Sequence, residues 1–251
     1  DIAKPGNVVN GYLVDVRRSA FDMLRWEGGN LPVLPPDPLD HKQLFEEVHR
    51  LCQFPKGARE VAYQDFWLRG VLERGERRIV ERADLLGFHP SPGESVVEIG
   101  CQAGGFLQYA WMKMGGEGTI LGVEIDLDYV FCGQRLARSC GQNICLRQMD
   151  ANQDREAMIA WIRERCPRGV DHLLLLSLEK HLSHRSLFEI VDVVQAKHTY
   201  IETNAVAKDS GEGVQPDGEM KLWPEVSARD GTYIGNSRDR NLRRLYRIDR
   251  P

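Results

Sequence analysis

The sequence predicts an α/β protein: a doubly wound, mostly parallel seven-stranded sheet with a terminal antiparallel hairpin, plus an N-terminal helical cap. Three observations predict it. From Ser95 onward short apolar runs alternate with amphipathic segments, the texture of parallel strands covered by helices on both faces. A glycine turn follows the first of these runs, in VVEIGCQAGG (Val96 to Gly105). The chain then ends on two strand-like runs, TYIGNS and RRLYRID, joined by the turn-forming RDRN.

The elements follow in order. Residues 1–40 show no period, and LPVLPPDPLD (Leu31 to Asp40) reads as an extended connector because of its prolines. Asp40 is suited to cap HKQLFEEVHRLCQF, where Leu44, Phe45, Val48, Leu51 and Cys52 share one helical face. A second helix fits ERRIVERADLLGF, with Ile79, Val80, Ala83 and Leu86 inward and Gly87 as its stop. Strands are expected over Ser95–Ile99, Thr119–Ile125, Ile144–Met149, Asp171–Ser177 and Thr199–Thr203. Helices are expected over Gly105–Met114, Leu127–Ser139, Arg155–Arg165 and Ser186–Ala196, with a short one near Trp223.

Composition narrows the classes. The 251 residues are 42% hydrophobic and 28% charged with a net charge of −4, which fits a globular α/β domain and argues against a surface that coats nucleic acid. The six cysteines form no CxxC pair and are expected to be reduced thiols of a cytoplasmic protein. There is no signal peptide and no apolar run long enough to span a membrane. The chain begins at Asp1 rather than Met, which leaves open whether a segment precedes it.

A strand that ends in an acid, then a glycine turn, then a helix makes a site for a nucleotide-like ligand. The glycines permit close backbone approach and the helix start offers free N–H groups. The next strand ends LGVEID and brings Glu124 to the same crevice, where an acid suits the two hydroxyls of a ribose. The third ends RQMDAN, and Asp150 at its tip can accept from an exocyclic amine such as that of adenine.

This order of residues resembles the class I S-adenosylmethionine-dependent methyltransferases, over about Gly75 to Asp249. The resemblance implies S-adenosylmethionine as cofactor. It implies that Gly100, Cys101 and Gly104 line its methionine and ribose parts, that Glu98 orders the glycine loop and reaches the ammonium, and that Glu124 with Ile125 holds the ribose side. Asp150 and the Ala151 backbone are then implied at the adenine. Gln102 stands where the family usually has a middle glycine. A dinucleotide dehydrogenase is the rival for such a turn, but GxGxxG spacing fails at Gln102, and Asp150 and the hairpin have no place in it. Upstream, YQDF and GERRIVER resemble the lead-in of a subgroup that includes tRNA wobble-uridine modifying enzymes, which implies Arg77 at the cofactor carboxylate or a substrate anion. The division expected is an N-terminal extension and helical cap over 1–74 and a methyltransferase domain over 75–251.

In this fold the acceptor enters over the fourth strand, which here ends LLLLSLEKHLSH. Ser177, Glu179, His181 and His184 are the candidates there. His181 suits a general base oriented by Glu179, and His184 suits a helix flank. Some RNA 3′-end methyltransferases hold a metal with two Glu and two His in this loop. LEKHL supplies one of each, so no metal is expected. Tyr63 to Trp67, Trp26 and Trp223 are candidates for a pocket wall or for ordinary core. Arg238, Arg240, Arg243, Arg244, Arg247 and Arg250 are candidates for an anion site or a solvated edge strand. The expectation is methyl transfer to O or N of a small-molecule acceptor. The alternatives are an RNA methyl- or carboxymethyl-transferase, engaging RNA through those arginines, and a non-catalytic S-adenosylmethionine-binding partner subunit.

Overall fold

The computed structural model of the protein describes residues 41–52, 62–178, 181–203, 222–237 and 243–251. It opens with α1 (His41–Cys52), a short hairpin of β1 (Phe66–Leu68) and β2 (Val71–Glu73), and α2 (Ile79–Leu86). Then come β3 (Ser95–Ile99), α3 (Gly105–Lys113), β4 (Thr119–Glu124), α4 (Leu127–Ser139), β5 (Cys145–Gln148) and α5 (Arg155–Arg165). The rest is β6 (His172–Leu176), α6 (His184–Val194), β7 (His198–Glu202), α7 (Trp223–Ser227), β8 (Thr232–Asn236) and β9 (Arg244–Asp249).

Seven strands form one sheet in the order β5-β4-β3-β6-β7-β9-β8. β3 through β7 are parallel, and β9 runs antiparallel between β7 and β8. The chain builds outward from β3 to β5 and then returns to the other side of β3, so the order reverses between β3 and β6. Ligands of open α/β sheets bind above the strand carboxyl ends at such a reversal.

Alternation along buried strands explains the two layers of helices. Val97, Ile99, Leu173, Leu175 and Ile201 face one side, where they meet Met158 and Ile162 of α5 and Leu187, Ile190 and Val191 of α6. Val96, Leu174, Leu176 and Tyr200 face the other, against Ile79 and Leu86 of α2, Phe106 and Leu107 of α3 and Val130 of α4. Every residue of β3 and of β6 is buried. Truncating one of these leucines to Ala is worth roughly 2–5 kcal/mol.

Two helix starts differ from the sequence expectation. α2 begins at Ile79, three residues after Glu76, where the expected segment starts, and coincides with the first residue of its apolar face. The reason is Asp65, whose buried carboxylate accepts from Gly75 N (2.8 Å) and Ile79 N (3.1 Å) and holds the intervening residues extended, with Arg77 bridged to Gln64. α6 begins at His184, earlier than Ser186, because the Ser183 hydroxyl accepts from Ser186 N at 3.0 Å and caps it. Asp40, the expected cap of α1, lies outside the described residues.

The β1–β2 hairpin has no counterpart in the sequence reading, since three-residue strands are too short to show a period. Arg69 and Gly70 turn it, both at positive φ. Its free edge is held by a side chain. Gln108 of α3, fully buried, accepts from Trp67 N (2.9 Å) and donates to Trp67 O (2.9 Å), in the manner of a neighbouring strand. Gln108→Ala orphans the buried Trp67 N–H, leaves Trp67 O only the Cys140 thiol and removes the donor to Gln142 Oε1, and is expected to cost roughly 2–4 kcal/mol. Denaturant unfolding measures it, and a cost below about 1 kcal/mol would show that the hairpin docks without this clamp.

Candidate active site

A cleft of about 380 Å³ lies at the carboxyl ends of β3 to β6. Of the residues expected at the site, it brings together Arg77, Glu98, Gly100, Glu124, Ile125, Asp150, Ala151 and His181. Cys101 and Gly104 are not on its wall. The Cys101 thiol is buried in the core against Gly122, and burial pushes it well above the usual thiol range. Gly104 is the cap of α3 and faces Leu146 and Leu107 instead. Glu179, Trp26, Arg238 and Arg240 lie outside the described residues.

The glycine turn answers to packing as well as to ligand access. Gly100 has φ +74°, and a Cβ there would meet Leu178 Cδ2 at 2.4 Å, so only glycine lets the β3 tip pass beneath the β6 loop. Gly105 starts α3 where a Cβ would strike Ile79 and the Asp65 carbonyl, so the helix can seat against the upstream segment. Gln102 adopts φ +51°, a conformation more usual for glycine, and is held there because its N–H donates to Glu124 at 2.8 Å.

Three acids line the first three strand tips. Glu98 is buried, and its Oε2 has no hydrogen-bond partner. Burial drives its carboxyl well above the usual range, Arg82 opposes this, and the Glu124 and Glu202 charges reinforce it. Glu124 accepts from three backbone amides, Gln102 N on Oε2 and Ile125 N (2.9 Å) and Asp126 N (3.0 Å) on Oε1. Burial raises its pKa and the amides lower it, with burial prevailing. This carboxylate therefore ties the loop after β3 to the loop after β4. Asp150 accepts from Asn152 N (2.8 Å) and Gln153 N (3.4 Å) on Oδ1. Exposed Ile125 and the Ala151 backbone complete that end. Asn152 reaches across to donate to the His181 carbonyl at 3.0 Å, so the exposed His181 sits on the rim beside the β5 loop.

The β6–β7 end carries a charge cluster that joins three sequence candidates, Arg77, Ser177 and Arg243, to two residues that the sequence reading does not single out, Arg82 and Glu202. Fully buried Glu202 accepts from Arg77 Nη2 (2.6 Å) and from Arg82 Nη2 (2.7 Å) and Nε (3.2 Å), and Arg243 lies 3.5 Å away. Burial alone would raise its pKa, but the Arg82, Arg77 and Arg243 guanidiniums win and hold it at about 2. Ser177, strained at φ +64°, donates to Glu202 and accepts from Arg77 Nη1 (3.0 Å) and from Arg243. Its hydroxyl is thereby engaged as a bridge within the cluster. Tyr63, on the cleft wall, accepts from Arg77 Nη1 (3.2 Å) and Arg243 Nη2 (3.4 Å). One signal was available: Arg82 falls on the same helical face as Ile79, Ala83 and Leu86, and a charge on an apolar face needs a buried partner.

The remaining candidates lie elsewhere, Arg244 as the first residue of β9 with its N–H donating to Thr203 Oγ1 at 2.9 Å. Trp67 and Trp223 pack in the two core layers, and His184 is the first residue of α6. Arg247 donates to Asp249, and Arg250 donates to the Val191 carbonyl. Among the described residues no group of three His, Cys, Asp or Glu could hold a metal ion, and no helix is long and apolar enough to cross a membrane.

The reversal between β3 and β6 and the antiparallel β9 between β7 and β8 are the topology of a Rossmann-like α/β methyltransferase fold, and the chain has that fold. Among solved structures it is similar to EvdMO1, with 16% identity and a TM-score of 0.52 over 86% of this chain and 49% of that one, about half the length of that longer chain. It is also similar to TrmN from Thermus thermophilus (15% identity, 71% of this chain, 50% of that one, TM-score 0.48). A SAM dependent methyltransferase from Aquifex aeolicus aligns at 15% identity over 67% of this chain and 87% of that one, TM-score 0.45. No family model and no curated protein matches the sequence.

Proposed function

We propose that the cleft binds S-adenosylmethionine and that the protein transfers its methyl group to an oxygen or nitrogen of a small-molecule acceptor. The observation that carries the reading is Glu98. A buried carboxylate oxygen without a partner, beside a glycine turn, lacks a cationic donor, and the cofactor's ammonium is one. In this reading Arg77 meets the cofactor carboxylate, Glu124 the ribose hydroxyls, and Asp150 with the Ala151 N–H the adenine, against Ile125. The cofactor supplies a methyl group already activated on a sulfonium.

The chain's own task is then alignment and proton removal. The strand ends set the spacing of the three acids: Glu98 pairs with Gly122, two residues before Glu124, and Glu124 pairs with Gln148, two residues before Asp150, so the acids step outward across adjacent strands. His181, on the rim, is the residue proposed to take the acceptor's proton, with Glu179 as its orienting partner. One feature favours a small acceptor over RNA. Among the described residues, the terminal arginines Arg243, Arg247 and Arg250 bond to Ser177, Asp249 and Val191, so their charges are engaged within the protein.

Calorimetry with S-adenosylhomocysteine is expected to give one site per chain, weakened at least ~10-fold in Glu124→Ala, which removes the anchor of two loops as well as a ligand acceptor. No heat at millimolar ligand would sink the reading. Cofactor binding with no methyl transfer to any small molecule of a cell extract, and no change in His181→Ala, would favour the non-catalytic subunit instead.

A further inference from the structure

The cleft is electrically polarised, and this bears on what it methylates. Its β5–β4–β3 end is acidic, with Asp150, Glu124, Asp126 and Glu98 on the wall. Arg77 and Arg82 line its β6–β7 end, and Arg243 stands buried behind the Tyr63 and Ser177 side chains of that wall. Among the described residues Arg77, Arg82 and Arg243 meet one shared carboxylate, that of Glu202. Arg82 satisfies both oxygens of that carboxylate. Arg243 stands farther off at 3.5 Å, and its buried Nε has no hydrogen-bond partner.

We infer that the acceptor carries an oxyanion, a carboxylate or a phosphate, which is seated where Arg243 and Arg77 converge on the Tyr63 and Ser177 hydroxyls. The inference rests on the cofactor reading of the other end and extends it. Glu202 balances one guanidinium, and the cofactor carboxylate at Arg77 balances a second. The Arg243 charge is left for a further anion. A guanidinium can only donate, so both of its bonds to Tyr63 and Ser177 aim N–H groups at lone pairs, and the same N–H set can serve an oxyanion. The residual field acts on Tyr63: burial would raise its phenol, yet Arg77 and then Arg243 bring it below its usual range. It also acts on Arg82, whose charged form is disfavoured by burial and next by Arg77. An acceptor that brings its own negative charge relieves both.

The test uses the whole chain saturated with S-adenosylhomocysteine, so that the cofactor carboxylate is in place, and titrates inorganic phosphate and, separately, benzoate by calorimetry. At least one of the two is expected to bind the loaded protein. Arg243→Gln is expected to weaken that binding roughly 10-fold while S-adenosylhomocysteine still binds, which also shows that the variant is folded. Tyr63→Phe, which keeps all three guanidiniums, should weaken it less. A preference between the two probes separates a phosphate from a carboxylate source. No heat from either probe on the loaded protein overturns the inference, as does equal binding by wild type and Arg243→Gln. Phosphate that binds the free protein and is expelled by S-adenosylhomocysteine also overturns it, because the cluster would then serve the cofactor alone. Absence of S-adenosylhomocysteine heat overturns the cofactor reading itself, and this inference with it.

Discussion

Glu202→Gln is expected to cost roughly 3–5 kcal/mol of folding stability, because it leaves the guanidiniums of Arg77, Arg82 and Arg243 together in a buried site without their shared carboxylate. For a chain of this size that lowers the melting temperature by roughly 10 °C. Adding Arg82→Met should restore part of the loss, since it removes one of the stranded charges, and the double-mutant cycle reads the coupling directly. The pH dependence carries the same signature. The Glu202 carboxyl is held at about 2 in the folded protein against an ordinary 4.5, so its contribution is complete above the ordinary value and is lost as pH falls toward about 2. The variant should lack that acid-sensitive component. A variant within about 1 kcal/mol of wild type would mean that the three guanidiniums are compensated by some other group.

Cofactor affinity should rise with pH, and Glu98 is the reason. Its carboxyl is pushed up by burial in the free protein, so its protonated form persists to higher pH than that of an ordinary carboxyl. An ammonium group favours the charged form, so binding must release a proton. Below the free-state pKa of Glu98, the affinity for S-adenosylhomocysteine is expected to climb by up to ~10-fold per pH unit and then level off. Calorimetry in buffers of different ionisation enthalpy should detect the released proton. Glu98→Gln should flatten the profile and weaken binding ~10–100-fold, since a charge-assisted bond becomes a neutral one. The ligand-free variant should be at least as stable as wild type, because a buried carboxyl without a partner is replaced by a neutral amide. Identical pH profiles for the two proteins would remove Glu98 from the ammonium site.

The two predictions touch opposite ends of one cleft, and the ends differ in how far local sequence reveals them. Glu98 and Glu124 follow apolar runs directly and Asp150 follows a strand-like segment, and the strands they belong to are hydrogen-bonded neighbours, so three local patterns predict one shared edge. Glu202 also follows such a run, yet its meaning lies in Arg77 and Arg82, 125 and 120 residues earlier. No periodicity links positions that far apart.

The sequence by itself determined the parallel core, its two helical layers, the antiparallel closing strands and the acidic tips. These depend on the apolar period, on glycines at positive φ and on the alternation of side chains along a strand, all properties of a few consecutive residues. Only the tertiary structure decided that Asp65 delays α2, that Gln108 stands in for a strand beside Trp67, and that three arginines from the upstream segment and the final strand's lead-in close on Glu202. Those arrangements arise when the reversal of strand order places β7 next to β6 and folds the upstream segment onto their tips, and electrostatic neutralisation in a buried site depends on distance in space rather than along the chain.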